Sequence, residues 1–187
     1  MVIRPRRMPA VSLSILAGSS PILQVPSHRH LGLVLNETFG WSDHVARVLI
    51  RVSQRIGMLR CIKSRTSPLI VRDLYLQTVL LMIEYAATVW SGLSATDAKR
   101  LERCSRAAAR VITGLSPSDN VPPDILLARA GLDKLEVRRR VAQVQFVVGL
   151  LDGKQPSHLS AVLSHWLPNA LSSQPARESQ RPAPSPP

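Results

Sequence analysis

Apolar residues that repeat with the period of an α-helix constrain the fold of this chain more than any other feature. The clearest repeat lies on one helical face and consists of Val45, Val48, Leu49, Val52, Ile56 and Leu59. Spacings of three and four residues place side chains along one stripe of a helix. Ser42 is a favourable N-cap residue, and Trp41 precedes it in the position of a hydrophobic staple. The sequence therefore predicts an amphipathic helix that begins near Ser42.

A second helix is predicted to begin at Pro68, a residue suited to the first helical position, with Ser67 as its cap. The segment from Val79 to Ile83 is apolar on several sides of this helix. We expect such a helix to be buried in the protein or covered by a partner. Where nothing covers it, the segment exposes apolar surface, which favours self-association.

Glu84, Tyr85 and Trp90 follow this segment. Exposed aromatic rings stack on nucleic-acid bases, whereas buried rings pack in the core with their polar group satisfied by a neighbour. Tyr85 and Trp90 are five residues apart, so a helix places them on different sides. We therefore expect both rings to pack in the core, and we expect Glu84 to be a structural hydrogen-bonding residue.

The third predicted helix starts after Ser94, whose spacing to Asp97 resembles a capping box. Gly114 is placed to end it in a left-handed conformation. Its apolar face consists of Leu101, Cys104, Ala108, Val111 and Ile112. The helix therefore spans about 19 residues, with one face directed to the core.

The opposite face of this helix carries a row of cations: Lys99, Arg103, Arg106 and Arg110. At roughly 100° per residue the four side chains fall within about 60° of arc. Such a row matches the regular charges of a phosphate backbone, and arginine suits bidentate phosphate contacts. Only Glu102 borders the row. The row is interpreted either as a nucleic-acid contact or as an ordinary solvated basic face.

The N-terminal segment predicts a β-hairpin. Val11, Leu13 and Ile15 alternate with period two, as in a half-buried strand. A turn-forming stretch of residues 17–21 follows, and a second strand begins at Ile22. The alternative interpretation is a secretory or mitochondrial leader, because three arginines precede the apolar run and no acid appears before Glu37.

Two more helices are predicted in the C-terminal half. A short one runs from Asp124 to Gly131, and a longer one from about Asp133 is stopped by Gly153 and Pro156. The apolar face of the longer helix consists of Val137, Val141, Val144, Val148 and Leu151. Its three consecutive arginines, residues 138–140, point in different directions. From residue 168 onward the Pro- and Ser-rich sequence predicts disorder.

The charge balance favours a nucleic-acid partner. The formal net charge is +12 and the sequence pI is about 11.3, beyond the threshold typical of nucleic-acid-binding domains. Acidic membrane surfaces, acidic proteins and a merely soluble basic surface are the alternatives. No apolar run approaches the roughly 20 residues that span a bilayer, so we expect no membrane insertion. We expect Cys61 and Cys104 to be reduced and buried in an intracellular protein, of the nucleus or cytoplasm.

The sequence offers no catalytic residues, metal ligands or cofactor motif. It contains no adjacent pair of acidic residues, whereas a polymerase palm needs paired carboxylates to hold two metals about 3.5–4 Å apart. His28 and His30 lack further ligands at zinc spacing. Gly-rich phosphate loops and nucleophile elbows are also absent.

An ordered series of short motifs accompanies these elements. The motifs are His28-Arg29-His30-Leu31-Gly32, Trp41-Ser42-Asp43-His44, Glu84-Tyr85 with Val89-Trp90, and Leu101-Glu102-Arg103-Cys104-Ser105-Arg106 continuing to Gly114. In this order and spacing they resemble the region just after the catalytic palm of LINE-type (non-LTR retrotransposon) reverse transcriptases. Gly32 would allow a bend or a close approach at the strand. Relatives usually have Gln at the position of Ser105, so we expect a weaker hydrogen-bond network there.

The resemblance implies an organisation and a partner. Residues 1–36 would form a hairpin remnant at the edge of the missing palm, and residues 37–114 a three-helix, thumb-like region. Residues 115–167 would add further helices before a disordered tail, residues 168–187. In the family this region packs near the primer–template duplex, which makes the four cations candidates for backbone contacts with a duplex or RNA–DNA hybrid.

The predicted fold is mainly α: a short N-terminal β-hairpin followed by a bundle of about five helices. The predicted function is that of a non-catalytic reverse-transcriptase fragment, an RNA-directed DNA polymerase without its palm, with weak, sequence-independent nucleic-acid binding. One alternative is an all-α protein-interaction or self-associating module, suggested by the apolar segment from Val79 to Ile83. Another is the product of a decayed element without selected function.

Overall fold

The computed structural model describes residues 1–4, 7–9, 13–154, 158–159 and 161–162. The strands are β1 (Ile15–Ala17), β2 (Ser20–Ile22), β3 (Ser27–His30) and β4 (Leu33–Asn36). The helices are α1 (Ser42–Ile62), α2 (Pro68–Tyr75, a π-helical segment Leu76–Leu80, and Leu81–Glu84), α3 (Ala95–Thr113), α4 (Pro123–Arg129) and α5 (Leu135–Leu151), with a 3-10 turn at Pro117–Asp119. The predicted fold class, a hairpin followed by five helices, is confirmed.

Two antiparallel hairpins precede the helices. In the predicted one, β1 pairs with β2 and Ile15 lies opposite Ile22; Val11 lies outside the described residues. The second hairpin pairs β3 with β4, and the sequence did not predict it as a hairpin distinct from the first. Gly32 turns this hairpin with a φ of +83°, and a Cβ there would lie 3.3 Å from the Tyr85 ring. The bend and close approach expected of Gly32 are therefore confirmed.

The apolar face predicted for α1 is confirmed, because Val45, Val52 and Ile56 are buried and the rest of the stripe is buried or half-buried. The prediction that Ser42 caps this helix is wrong. Trp41 occupies the N-cap position without a capping hydrogen bond, and Ser42 belongs to the first turn. The Ser42 hydroxyl instead donates to the Asp97 carboxylate at 2.7 Å, because that acid lies beside the start of α1.

In α2, the predicted cap is confirmed, since the Ser67 hydroxyl accepts from the Ile70 N–H at 3.4 Å. The expectation that the segment from Val79 to Ile83 is buried or covered is confirmed for most of its length, and the exposed apolar surface on which the self-associating alternative rested is largely absent from these residues. Val79, Leu80 and Ile83 are buried within the chain, whereas Leu81 is 60% exposed. The wider π-helical turn directs two consecutive residues, Val79 and Leu80, to the same side, where the core covers them.

Both predicted ends of α3 are confirmed. The Ser94 hydroxyl accepts from the Asp97 N–H at 3.1 Å, and Gly114 ends the helix with a φ of +75°. The expected burial of the cysteines is wrong for Cys61, which lies on the exposed side of α1, while Cys104 is half-buried. The helical period of the sequence places Cys104 on the apolar face of α3, whereas it does not place Cys61 on the apolar face of α1.

The apolar face predicted for α5 is exposed. Each of Val137, Val141, Val144, Val148 and Leu151 is exposed. The helical period identified an apolar stripe, but it does not show whether a neighbouring element covers that stripe. Gly153, with a φ of +68°, follows the helix as predicted, and Pro156 and the predicted disordered tail lie outside the described residues.

The described residues up to residue 142 form one compact unit, and those from residue 143 onward belong to a second one. All of the cations in the predicted site belong to the first unit. Among the described helices, none is both long enough and apolar enough to cross a membrane.

Candidate nucleic-acid interface

The four predicted cations lie on the face of α3 that points away from the core. Lys99 and Arg103 are exposed, and Arg106 and Arg110 are half-buried, whereas Leu101 on the other side is buried. From the first to the last cation the helix rises about 16 Å. That length equals roughly five base-pair steps along the axis of B-DNA at 3.4 Å each.

Among the described residues, no acidic side chain neutralises the positive charge of this row. Over the described part of the chain, no carboxylate lies within ion-pair distance of these four side chains. Glu102 borders the row, but its carboxylate accepts from the Glu136 N–H at 3.0 Å. Arg106 is held along the helix by donating its Nε to the Glu102 carbonyl at 3.4 Å. The face therefore presents an uncompensated positive charge to solvent.

Asp97 fixes the helix that carries the row. Its carboxylate accepts from the hydroxyls of Ser42 and Ser94, at 2.7 and 2.8 Å, and from Arg100 at 3.1 Å. Burial opposes ionisation of this side chain, but these hydrogen bonds outweigh burial and lower the pKa of Asp97. Asp97 is therefore charged at neutral pH and neutralises Arg100, which lies beside the row but is not part of it.

Helices α1 and α3 run parallel. Their starts are joined by Ser42 and Asp97, and their middles by a hydrogen bond between the side chains of Ser53 and Cys104. Burial raises the pKa of the Cys104 thiol. The parallel arrangement brings both C-terminal ends together, where the negative ends of the two helix dipoles favour nearby cations.

A groove lies between these C-terminal ends. Its volume is about 520 Å³, and it is lined by Arg60, Lys63, Ala107, Arg110, Val111, Leu115 and Pro117. Arg110 thus belongs both to the row and to the groove. Sequence reasoning missed Arg60 and Lys63. The signal that would have found them is the lack of any acidic residue between Asp43 and Asp73, in a segment rich in arginine.

Trp90 and Tyr85 do not form a stacking platform. Trp90 is fully buried, as expected, and its Nε1 donates to the Tyr85 carbonyl at 2.8 Å. The expected burial of Tyr85 is wrong: its ring is 55% exposed, because the helix has ended at Glu84 and the chain turns there. The Tyr85 hydroxyl donates to the Leu31 carbonyl at 2.8 Å and so ties the β3–β4 turn to the helices.

The structural role expected of Glu84 is confirmed, because its carboxylate accepts a hydrogen bond from Arg138. This contact raises the pKa of Arg138. The Ser105 hydroxyl is buried and lies 3.4 Å from the Tyr75 hydroxyl, which donates to it. Burial raises the pKa of Tyr75. Among the described residues, the short Ser105 side chain thus makes one long hydrogen bond to Tyr75 in place of a larger network.

A buried histidine that sequence reasoning did not single out lies between α1 and the second hairpin. His44 Nδ1 accepts from the Val34 N–H at 3.4 Å, and its ring meets the Trp90 ring edge-on with centroids 4.9 Å apart. Burial, and then the positive charges of Arg139 and Arg47, lower the pKa of His44. His44 is therefore a neutral core residue at pH 7.

Metal-binding geometry was not expected at His28 and His30, which lie exposed on β3. In the part of the chain that the structure describes, no three His, Cys, Asp or Glu side chains are grouped to hold a metal ion. No known protein family, curated protein or solved structure matches the chain. The resemblance to reverse transcriptases accordingly rests on the short sequence motifs.

Proposed function

We propose that this chain is a non-catalytic, thumb-like part of a LINE-type reverse transcriptase that binds the nucleic-acid backbone weakly and without sequence preference. The observation that carries the proposal is the row on α3, in which Lys99, Arg103, Arg106 and Arg110 have no acidic partner among the described residues. Backbone contacts fix position and carry no sequence information. The ordered motifs between residues 28 and 114 supply the family assignment in this proposal.

The ligand that fits this row is a regular polyanion. A straight helix with cations about 16 Å from end to end follows one phosphate strand, and arginine forks match phosphate oxygens. The two aromatic residues weighed as a base-stacking platform are otherwise engaged, because Trp90 is buried and Tyr85 holds the β3–β4 turn. Duplex DNA and RNA–DNA hybrid are therefore expected to bind with affinities that depend on salt and not on sequence.

The salt dependence of binding tests the proposal. Four phosphate contacts give a slope of about −3 to −4 in a plot of log affinity against log salt concentration for a duplex. The fourfold variant Lys99→Gln, Arg103→Gln, Arg106→Gln and Arg110→Gln should flatten this slope. Helical content should be almost unchanged, because Gln is a comparable helix former. Fluorescence anisotropy with labelled duplex and hybrid measures the slope, and circular dichroism measures the helix content.

A charge-matched control separates position from net charge. Arg47, Arg51, Arg55 and Arg65 are exposed cations outside α3, and replacing all four by Gln removes the same charge. If the control variant loses as much of the slope as the α3 variant, the row has no special role. Unchanged affinity and slope in the α3 variant would reduce the row to a solvated face.

Catalysis is not part of the proposal, since the chain has no adjacent carboxylate pair. Purified protein is expected to show no template-dependent nucleotide incorporation with Mg²⁺ or Mn²⁺. Primer extension that co-purifies with the chain through contaminant controls would contradict the non-catalytic assignment.

The exposed face of α5 favours a second candidate, a self-associating helical module. Its five apolar residues are spaced by four, three, four and three positions, which is the repeat of a coiled-coil seam. Val141→Lys together with Val148→Lys should then shift a dimer to monomer in sedimentation velocity. A wild-type chain that is monomeric at micromolar concentration would exclude this candidate. A dimer, in turn, would not be expected of the product of a decayed element.

A further inference from the structure

We infer that the groove between the ends of α1 and α3 binds the terminal phosphate of a nucleic-acid strand whose backbone lies along the α3 row. The inference rests on the proposed function and names the part of the ligand that this end of the site takes. Three cations, Arg60, Lys63 and Arg110, line one opening of about 520 Å³. That volume is within the range of small-ligand sites, about 300–1,000 Å³.

The charges at the groove match a phosphate monoester better than a diester. A phosphodiester carries one negative charge, whereas a monoester carries about −1.5 to −2 at pH 7 and has three acceptor oxygens. Arg60 and Lys63 come from the end of α1, and Arg110 comes from α3. Over the described residues none of the three has an acidic partner within ion-pair distance. The negative ends of the α1 and α3 dipoles offset roughly half a charge each, so the three cations leave a net positive charge of about two at this opening, which suits a dianion.

The rest of the groove is apolar. Ala107, Val111, Leu115 and Pro117 line it, and the last two follow the turn at Gly114, beyond the end of α3. A surface of this kind removes the face of a sugar or base from water, and the rim cations hold the phosphate. An acidic peptide would satisfy the charges, but it would not share a continuous path with the regular α3 row.

The geometry of the row favours a strand end at this place. Arg110 is the last cation of the row and also lines the groove. A strand that follows the row from Lys99 therefore reaches the groove after about 16 Å. The ligand class is a short strand with a terminal monophosphate.

The test compares four labelled single strands of one sequence: 5′-phosphorylated, 3′-phosphorylated, unphosphorylated and circular. Wild-type protein is expected to bind one of the phosphorylated strands about tenfold more tightly than the unphosphorylated and circular strands, since about 1.4 kcal/mol corresponds to a factor of ten. The preference should fall when the pH is lowered below about 6, where the monoester takes up its second proton.

Two variants of equal charge locate the effect. Arg60→Gln with Lys63→Gln removes two exposed groove cations and should abolish the preference for the phosphorylated end. Lys99→Gln with Arg103→Gln removes two exposed row cations and should weaken all four strands alike, with the preference retained. Circular dichroism checks that both double variants keep the helical content of the wild-type chain.

The outcomes separate the two proposals. Salt-dependent binding without any end preference would overturn the groove inference and leave the proposed function standing. A preference that survives in the groove variant would also overturn it. If no strand binds, the proposed function fails and the inference fails with it. Displacement of the phosphorylated strand by a Glu-rich peptide, but not by a nucleoside monophosphate, would overturn the identity of the ligand.

Discussion

Two groups of cations on this chain have the same chemistry and different surroundings. The row on α3 has no acidic partner among the described residues, whereas the consecutive arginines 138–140 of α5 all have partners. Arg138 bonds the carboxylates of Glu84 and Asp133, and Arg140 pairs with Glu136. The difference shows that partners and burial, more than residue type, decide whether an arginine is available to a ligand.

Arg139 is the extreme case within the second group. Its guanidinium lies 4.1 Å from the centre of the Trp90 ring and donates to the carbonyls of Trp90 and Ala87, at 2.8 and 3.4 Å. Burial lowers the pKa of Arg139. These contacts fasten the first turns of α5 to the chain segment that follows α2. Arg139 is therefore expected to stabilise the fold more than the exposed cations of the α3 row do.

The largest effect is expected from Arg139→Ala. This change removes two charge-assisted hydrogen bonds and the contact with the Trp90 ring, and it leaves two carbonyls without their donor. Bonds of this kind contribute about 1.5–3 kcal/mol and a cation–π contact about 0.5–2 kcal/mol. Because Arg139 is only half-buried, solvent offsets part of these contacts, and the free energy of unfolding, measured by urea denaturation, should fall by about 2–4 kcal/mol.

Arg140→Ala is the matched control on the same helix. Both members of its ion pair with Glu136 are 76% exposed, and such surface pairs contribute about 0–1 kcal/mol. If the two variants lose the same free energy of unfolding, the distinction drawn between buried and exposed arginines fails. Nucleic-acid affinity of both variants should equal that of the wild type under conditions where each is folded.

The sequence could not distinguish these arginines. Residues 138–140 are identical side chains in consecutive positions, and only the placement of Trp90 after the turn at Tyr85 singles out Arg139. Helical period did predict α1, α2 and α3 and the row on α3, since these depend on spacing within one element. Period did not predict which apolar face is covered, because covering depends on the neighbouring elements. The valines of α5 form an apolar face that lies exposed, whereas most of the segment from Val79 to Ile83 is covered.

Part of the candidate site could likewise be predicted from the sequence, and part of it could not. The four cations of α3 belong to one helix, so spacing sufficed to place them on one face. The groove needs Arg60 and Lys63 from α1, and their distance along the chain from Arg110 hides the arrangement. The parallel packing of α1 and α3 depends on Asp97, whose bond to Ser42 joins residues 55 positions apart. Such long-range contacts leave no periodic signal in the sequence.

A smaller effect on the free energy of unfolding is expected from a change of pH. It compares the charge of a buried core group with that of the exposed cations. Burial, and then Arg139 and Arg47, lower the pKa of His44 below the ordinary 6.5. The unfolded chain therefore takes up a proton at His44 at a higher pH than the folded chain does. The contribution of neutral His44 to the free energy of unfolding should be complete above about pH 6.5. The free energy of unfolding should then fall as the pH drops towards the lowered pKa of His44.

Urea denaturation as a function of pH measures this loss, and the imidazole resonances of His44 report its pKa directly. His44→Gln should remove its part of the pH dependence. Arg139→Ala should move the His44 pKa upward, towards its ordinary value, because a nearby positive charge is lost. A His44 pKa that stays at or above 6.5 in the wild-type chain would show that this core does not repel the proton.

The smallest effect on stability is expected from Arg103→Gln, and it tests the other half of the comparison. Arg103 is exposed on α3, and among the described residues no acidic side chain pairs with it. Its replacement should change the free energy of unfolding by less than about 0.5 kcal/mol, as for other surface sites. The same change should reduce the salt slope of duplex binding by about one, because one phosphate contact is lost. A structural arginine gives the reverse pattern, with large loss of stability and no change in slope. If Arg103→Gln lowers stability by as much as Arg139→Ala, the row on α3 is also part of the fold's framework, and its role as a ligand-facing surface is excluded.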